Sequence, residues 1–271
     1  MLTMKRRTFL KTSIATSVLG GLGSTRFFAR AAEPKNLPGR EYYELRAYRL
    51  NPDGNHDLLD AYLEKALIPA LNRLGIKPVG AFTQIEAKND PPTVYVLIPY
   101  ASLESYTTAL LRLNADSEYQ TAGAAYLQTP KASPAFQRID SWFLLAFEGM
   151  PKIELPAYCK EKKPRIFELR TYESHSEVKA LNKVAMFNAG EIDAMRETGL
   201  GPIFYGQTLI GSGLPHLMYM TSGENREVHK EHWSAFGKHP TWQKLKADPQ
   251  YKDNMTKGTP RFLVPLGCSQ I

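Results

Sequence analysis

From Tyr42 to Leu50 apolar and polar side chains alternate. Tyr43, Leu45 and Ala47 share one face and Glu44, Arg46 and Tyr48 the other, which is the period of a half-buried strand. Asn51-Pro52-Asp53-Gly54 turns the chain, and the period then changes. Leu58, Leu59, Tyr62, Leu63, Ala66, Leu67, Ala70, Leu71 and Leu74 recur at helical spacing and stop at Gly75, with Pro69 predicted to kink the helix. Val79 to Ile85 and Thr93 to Ile98, parted by a polar break containing Asn89-Asp90-Pro91-Pro92, predict a hairpin. A second helix from about Ser102 to Leu113, a short irregular helical piece and an aromatic strand from Ser141 to Phe147 complete the order β-α-β-β-α-β. That order is the ferredoxin-like unit, an antiparallel sheet with both helices on one face.

The pattern is written twice. Glu44-Leu45-Arg46-Ala47-Tyr48 recurs 124 residues later as Glu168-Leu169-Arg170-Thr171-Tyr172, and the same shift carries Gly75 to Gly199, Pro78 to Pro202, Pro91 to Pro215 and Tyr95 to Tyr219. Two repeats follow, residues 41–147 and 165–266, joined by a proline- and lysine-rich linker at 148–164. Each sheet has one face that its own helices leave bare. Packing the bare faces together covers both and closes an intramolecular barrel, so the expected fold is α+β, a tandem pair of ferredoxin-like repeats forming a pseudo-dimer. In this reading Leu45 and Leu169 face the helices, and the charged pairs point toward the other sheet.

The N-terminus reads as a targeting segment. Lys5-Arg6-Arg7-Thr8-Phe9-Leu10-Lys11 is a twin-arginine sequence, Ile14 to Leu22 is a weakly apolar run, and Ala29-Arg30-Ala31 offers a small-residue cleavage site. Residues 1–31 are therefore expected to be an export signal delivering a periplasmic or extracellular protein. This changes the meaning of the charge. The chain carries a formal +7, but Lys5, Arg6, Arg7, Lys11, Arg26 and Arg30 leave with the signal, so the remainder is near +1 and nucleic acid is not an expected partner. No later stretch is apolar enough to span a membrane. Cys159 and Cys268 are the only cysteines, and their pairing is left open.

The strand opening each repeat, Glu-Leu-Arg-x-Tyr, the long helix closed by glycine, and Ala235-Phe236-Gly237-Lys238-His239-Pro240-Thr241-Trp242 resemble NIPSNAP-family proteins over nearly all of the chain beyond the signal. The resemblance implies a dimeric α/β-barrel fold. It names no reaction, because the same barrel is similar to those of cofactor-free monooxygenases, haem-degrading enzymes, muconolactone isomerases and binding modules. Where repeat two has His239-Pro240-Thr241-Trp242, repeat one has Asp116-Ser117-Glu118-Tyr119.

The candidate chemistry follows the duplicated strand. Glu44 with Arg46 and Glu168 with Arg170 must be paired or solvated, and either form an ion-pair network joining the sheets or line a polar cavity. The candidates for catalysis are Glu168, Arg170, Tyr172, His232 and His239. Those for ligand binding are Glu44, Arg46, Tyr48, Tyr205 and Tyr219. His229, His232 and His239 occur only in the second repeat, where the shift of 124 sets them against Ser105, Thr108 and Ala115. Their spacing matches no zinc signature, so no metal or other cofactor is expected. There is no nucleophile elbow and no phosphate-binding loop. The expected role is small-ligand binding or structural. The alternative is a cofactor-independent oxygenase or isomerase acting on a small aromatic or enolisable substrate in the barrel interior. Self-association into a homo-oligomer is left open.

Overall fold

The computed structural model describes residues 39–52, 56–85 and 91–271. The twin-arginine segment and parts of the two turns at 53–55 and 86–90 lie outside them. In chain order the first half comprises β1 (Tyr42–Arg49), α1 (Asp57–Tyr62), a π-helical turn (Leu63–Leu67), α2 (Ile68–Arg73), β2 (Gly80–Ile85), β3 (Thr93–Tyr100), α3 (Leu103–Ala115), α4 (Ser117–Ala122), α5 (Ala124–Leu127) and β4 (Arg138–Ala146). After α6 (Ala157–Lys160) the second half repeats the plan with β5 (Ile166–Glu173), α7 (Glu177–Met186), a π-helical turn (Phe187–Glu191), α8 (Ile192–Glu197), β6 (Gly201–Ile210), β7 (His216–Gly223), α9 (Arg226–Lys238), α10 (Pro240–Ala247) and β8 (Lys257–Pro265).

Local chemistry marks the helix ends. Ser102, Ser176 and Asn225 cap α3, α7 and α9, each side chain accepting a backbone N–H three residues on. Gly75 and Gly199 end the two long helices in the left-handed region, at φ 79° and 82°, where a side chain would strain the turn. The π-helical turn precedes Pro69 in the first half, yet it recurs in the second, where Asp193 replaces that proline, so the widened turn belongs to the fold and not to proline alone.

Each half pairs its strands in the ferredoxin-like order, β4-β1-β3-β2 and β8-β5-β7-β6. The edges join through β2 with β8 and β4 with β6, so that among the described residues eight antiparallel strands close a barrel. No strand of the barrel is left with an open edge.

The middle of the barrel interior is apolar and packed, and at one end Arg49, Gln84, Tyr95, Asp140, Trp142 and Arg261 line a cavity of about 120 Å³. Tyr43, Leu45, Phe82, Phe167, Leu169, Phe204 and their neighbours form one buried cluster. Rings meet across the halves, Tyr43 with Phe204 at 5.2 Å and Phe82 with Phe167 at 4.8 Å. Leu45 and Leu169 therefore point inward, and Glu44, Arg46, Tyr48, Glu168, Arg170 and Tyr172 point outward under the helices, the reverse of the expectation from sequence. The reason is solvation. The middle of a closed barrel offers a charge no route to water, unlike its end, where Arg49 and Asp140 pair, whereas the sheet-helix layer is open at its side, where Arg46 and Arg170 keep 25% and 23% of their side-chain surface exposed. The ion pairs accordingly do not join the two sheets. Cys159 is buried, Cys268 is half-buried, and both are free thiols. Among the described residues no helix is long and apolar enough to cross a membrane.

Candidate functional site

The space available to a ligand in the first half lies between sheet and helices. A cleft of about 330 Å³ has Glu44 and Arg46 of β1 on its floor and Tyr100 of β3 beside them. Tyr62 of α1, Tyr106 and Ala109 of α3, and Tyr119 of α4 form its walls. Glu44 is fully engaged. Its Oε1 accepts from Arg46 Nε at 2.7 Å and Ser141 Oγ at 3.0 Å, and its Oε2 from Arg46 Nη2 at 2.8 Å and the Tyr100 hydroxyl at 3.1 Å. Above them the Tyr62 and Tyr119 hydroxyls share a hydrogen bond of 2.8 Å, and the Tyr106 ring lies 4.2 Å from that of Phe143. Burial pushes the phenols of Tyr62, Tyr100, Tyr106 and Tyr119 up, so they stay protonated at neutral pH. Burial also works against the Arg46 charge, but the neighbouring Tyr48 and Glu44 outweigh it and hold the guanidinium firmly charged.

The second half builds the same floor and covers it. Arg170 Nε donates to Glu168 Oε1 at 2.9 Å, and Arg170 Nη1 to the Tyr172 hydroxyl at 3.1 Å, which also accepts from Tyr219 at 2.8 Å. Glu168 Oε2 accepts from His229 Nε2 at 2.9 Å and from Trp233 Nε1 at 2.6 Å, while the indole lies flat on the Arg170 guanidinium at 3.8 Å. Burial would raise the Glu168 carboxyl, but the His229 hydrogen bond and the Arg170 charge hold it below the ordinary range.

Register shows which residues correspond. Glu44 faces Ile98 across β1 and β3, and Glu168 faces Thr221 across β5 and β7, so the shift is one residue smaller after the hairpin than before it. The helix caps agree, Ser102 answering to Asn225 and Asp116 to His239. His229, His232 and His239 thus stand where the first half has Tyr106, Ala109 and Asp116, and not Ser105, Thr108 and Ala115. Likewise Tyr219 matches Val96 and not Tyr95. A one-residue slip moves a strand residue to the opposite face, and Tyr95 is indeed inside the barrel while Tyr219 is under the helices. By the same register Trp233 answers to Leu110, which is 64% exposed. The cleft of the first half is open because Leu110 does not reach over Arg46 as Trp233 reaches over Arg170.

Two matches to one family model settle the lineage. The NIPSNAP model matches residues 43–148 and again residues 167–270. This chain belongs to the NIPSNAP family. Among solved structures it is similar to a candidate monooxygenase from Lactobacillus acidophilus (10% identity, 83% of this chain and 94% of that one, TM-score 0.55). It is also similar to one from Fusobacterium nucleatum subsp. nucleatum (11% identity, 84% and 93%, TM-score 0.53). A NIPSNAP-like domain protein from Burkholderia xenovorans is 21% identical over 38% of this chain and 87% of its own (TM-score 0.34). At these identities the likeness to the first two shows the shared fold alone. Among curated proteins none matches the sequence.

In this NIPSNAP protein the candidates fall into separate groups. Glu44, Arg46 and Tyr48 share the outward face of β1, and Glu44 and Arg46 form the cleft floor. Glu168, Arg170, Tyr172 and Tyr219 form one hydrogen-bonded network, with Tyr205 stacked on Tyr219 at 5.2 Å and its hydroxyl directed at the Met195 sulfur. His239 is not in that network. It caps α10 through Nδ1 and reaches Glu197 through Nε2 at 2.9 Å. His232 packs its ring against Gly199. Among the described residues no group of three or more His, Cys, Asp or Glu side chains is placed to hold a metal. Sequence reasoning missed the tyrosines of the cleft and the part played by Trp233. Tyr100, Tyr106, Tyr119 and Trp233 come from elements whose register is set by a hairpin one residue shorter in the second half, and Tyr62 comes from the helix before it.

Proposed function

We propose that this protein binds a small molecule in the sheet-helix cleft of its first half, and that the second half is the structural partner that completes the barrel. The observation that carries this is the Leu110–Trp233 difference, since two halves with the same Glu-Arg floor differ in whether an indole fills the space above it. A volume of about 330 Å³ that combines aromatic and aliphatic walls with the Glu44–Arg46 pair and tyrosine hydroxyls is the character of a ligand site. Between the sheets the packed middle of the barrel leaves about 120 Å³ at one end, among Ala47, Tyr95, Trp142 and Arg261, less than the sheet-helix cleft offers, so the ligand is placed in the cleft and an oxygenase or isomerase acting between the sheets is the second reading. We further propose, from the N-terminal sequence, that binding takes place outside the cytoplasm.

The test copies the second half into the first. Leu110→Trp should close the cleft while shifting stability by less than about 1 kcal/mol, because Leu110 is largely exposed. In a thermal-shift panel of one- and two-ring acids, alcohols and amines, some members should stabilise the wild type and lose that effect in Leu110→Trp. A panel that never stabilises the wild type, or ligands that bind both proteins alike, would reject the cleft.

A further inference from the structure

The polar groups of the first-half cleft are unbalanced, and the imbalance selects a ligand. A carboxylate has about four acceptor positions, and those of Glu44 are taken by Arg46 Nε, Arg46 Nη2, Tyr100 and Ser141. Glu44 is therefore spent as an acceptor for anything entering the cleft. Arg46 gives Glu44 only Nε and Nη2, so Nη1 remains as a charged donor on the floor, and the side chain is a quarter exposed toward the opening. The Tyr62–Tyr119 pair shares one proton in its mutual hydrogen bond and keeps the other free to donate, and Tyr106 adds a further hydroxyl. The walls offer rings and aliphatic carbon. Such a site rewards a flat body carrying oxygen acceptors. It disfavours an ammonium group, which would meet the Arg46 charge with Glu44 already engaged and only neutral hydroxyls left to accept from it.

We infer that the ligand of this cleft is a planar aromatic compound bearing an anionic oxygen group, a carboxylate or an acidic phenol, held by Arg46 Nη1 with its ring among Tyr62, Tyr106 and Tyr119. This rests on the cleft being the binding site and adds the chemical class. The second half cannot take the same ligand, because Trp233 supplies a ring above Arg170 from within the chain and also donates to Glu168.

Three probes with one ring system separate the two ideas: 2-naphthoate, 2-naphthalenemethanol and 2-naphthylmethylamine, titrated calorimetrically into the full-length wild type and Leu110→Trp. The anion should bind the wild type at least about tenfold more tightly than the alcohol, the amine should bind most weakly, and all binding should vanish in Leu110→Trp. Arg46→Gln should remove the advantage of the anion and leave the alcohol unchanged within a few-fold. The three-probe comparison in the wild type stands even if that variant does not fold. If the alcohol or amine binds as tightly as the anion and Leu110→Trp abolishes it, the ligand class is wrong and the cleft survives. If binding persists in Leu110→Trp, or none of the three binds at millimolar concentration, the cleft itself is rejected.

Discussion

Replacing Glu168 should destabilise the protein more than replacing its ionic partner, and should not be rescued by replacing both. The carboxylate is 1% exposed and serves three donors at once, Arg170, His229 and Trp233. In Glu168→Leu the His229 and Trp233 N–H groups lose their carboxylate acceptor; Trp233 can still donate to His229 Nε2 at 3.1 Å, but the imidazole proton must then sit on the buried Nδ1, so one donor is left unsatisfied at about 1 to 3 kcal/mol. Arg170 keeps a path to water and the Tyr172 hydroxyl, so it adds less. The expected loss is about 3 to 4 kcal/mol. In Arg170→Leu the carboxylate keeps two donors, and what disappears is one charge-assisted pair and the stacking of guanidinium on indole, about 2 to 3 kcal/mol together. An isolated buried pair would recover most of its stability when both members become leucine. Here the double variant should stay close to Glu168→Leu, because the His229–Trp233 pair still has one buried donor with no acceptor. Urea unfolding of the four proteins, followed by tryptophan fluorescence and far-ultraviolet circular dichroism to confirm a single transition, gives the cycle. A double variant near wild-type stability, or an Arg170→Leu less stable than Glu168→Leu, would refute the network reading.

Two further outcomes are expected. Because the folded-state pKa of Glu168 lies below its ordinary 4.5, its network stabilises fully above that value and is lost as pH falls through the folded value; the urea midpoint of the wild type should fall more steeply than that of Glu168→Gln as pH drops below 4.5, and parallel slopes would count against it. Lys183 and Glu191 form a buried ion pair at 2.8 Å where the first half has Leu59 and Leu67, so Lys183→Leu should cost about 3 to 5 kcal/mol, and Lys183→Leu with Glu191→Leu should recover most of it; chemical denaturation showing the double variant no better than the single would contradict this.

The strand periods, the helical run to Gly75 and the fixed shift between halves made the barrel legible, because each rests on a periodicity that short-range sequence carries directly. Which face of β1 looks inward was not legible. Tyr43, Leu45 and Ala47 are apolar enough for either side, and the choice depends on whether Glu44 and Arg46 can reach water, a property of the assembled layers. The cleft was hidden for a different reason. Its walls come from α1, α3 and α4, which no local pattern brings together, and the one-residue difference in hairpin length displaced every later comparison between halves. With the shift held constant, His229 stands against Ser105 and Trp233 against Ala109. Corrected by one, they stand against Tyr106 and Leu110, and the filled and open sites become apparent.

The two faces of the closed sheet are constrained differently, which explains where the halves differ. The interior cluster mixes residues from both, so enlarging Phe82 or Phe167 displaces a ring of the other half. The outer clusters are nearly separate, one built around Leu59, Leu67 and Tyr62, the other around Phe187, Tyr205 and Tyr219. Substitutions beneath one set of helices leave the other layer and the barrel seams intact. The exchange of leucines for Lys183 and Glu191 and of Leu110 for Trp233 lies in these independent layers. A duplicated barrel of this kind can hold one site closed for stability and leave the other open for a ligand, because closing the barrel demands complementarity only on the inside.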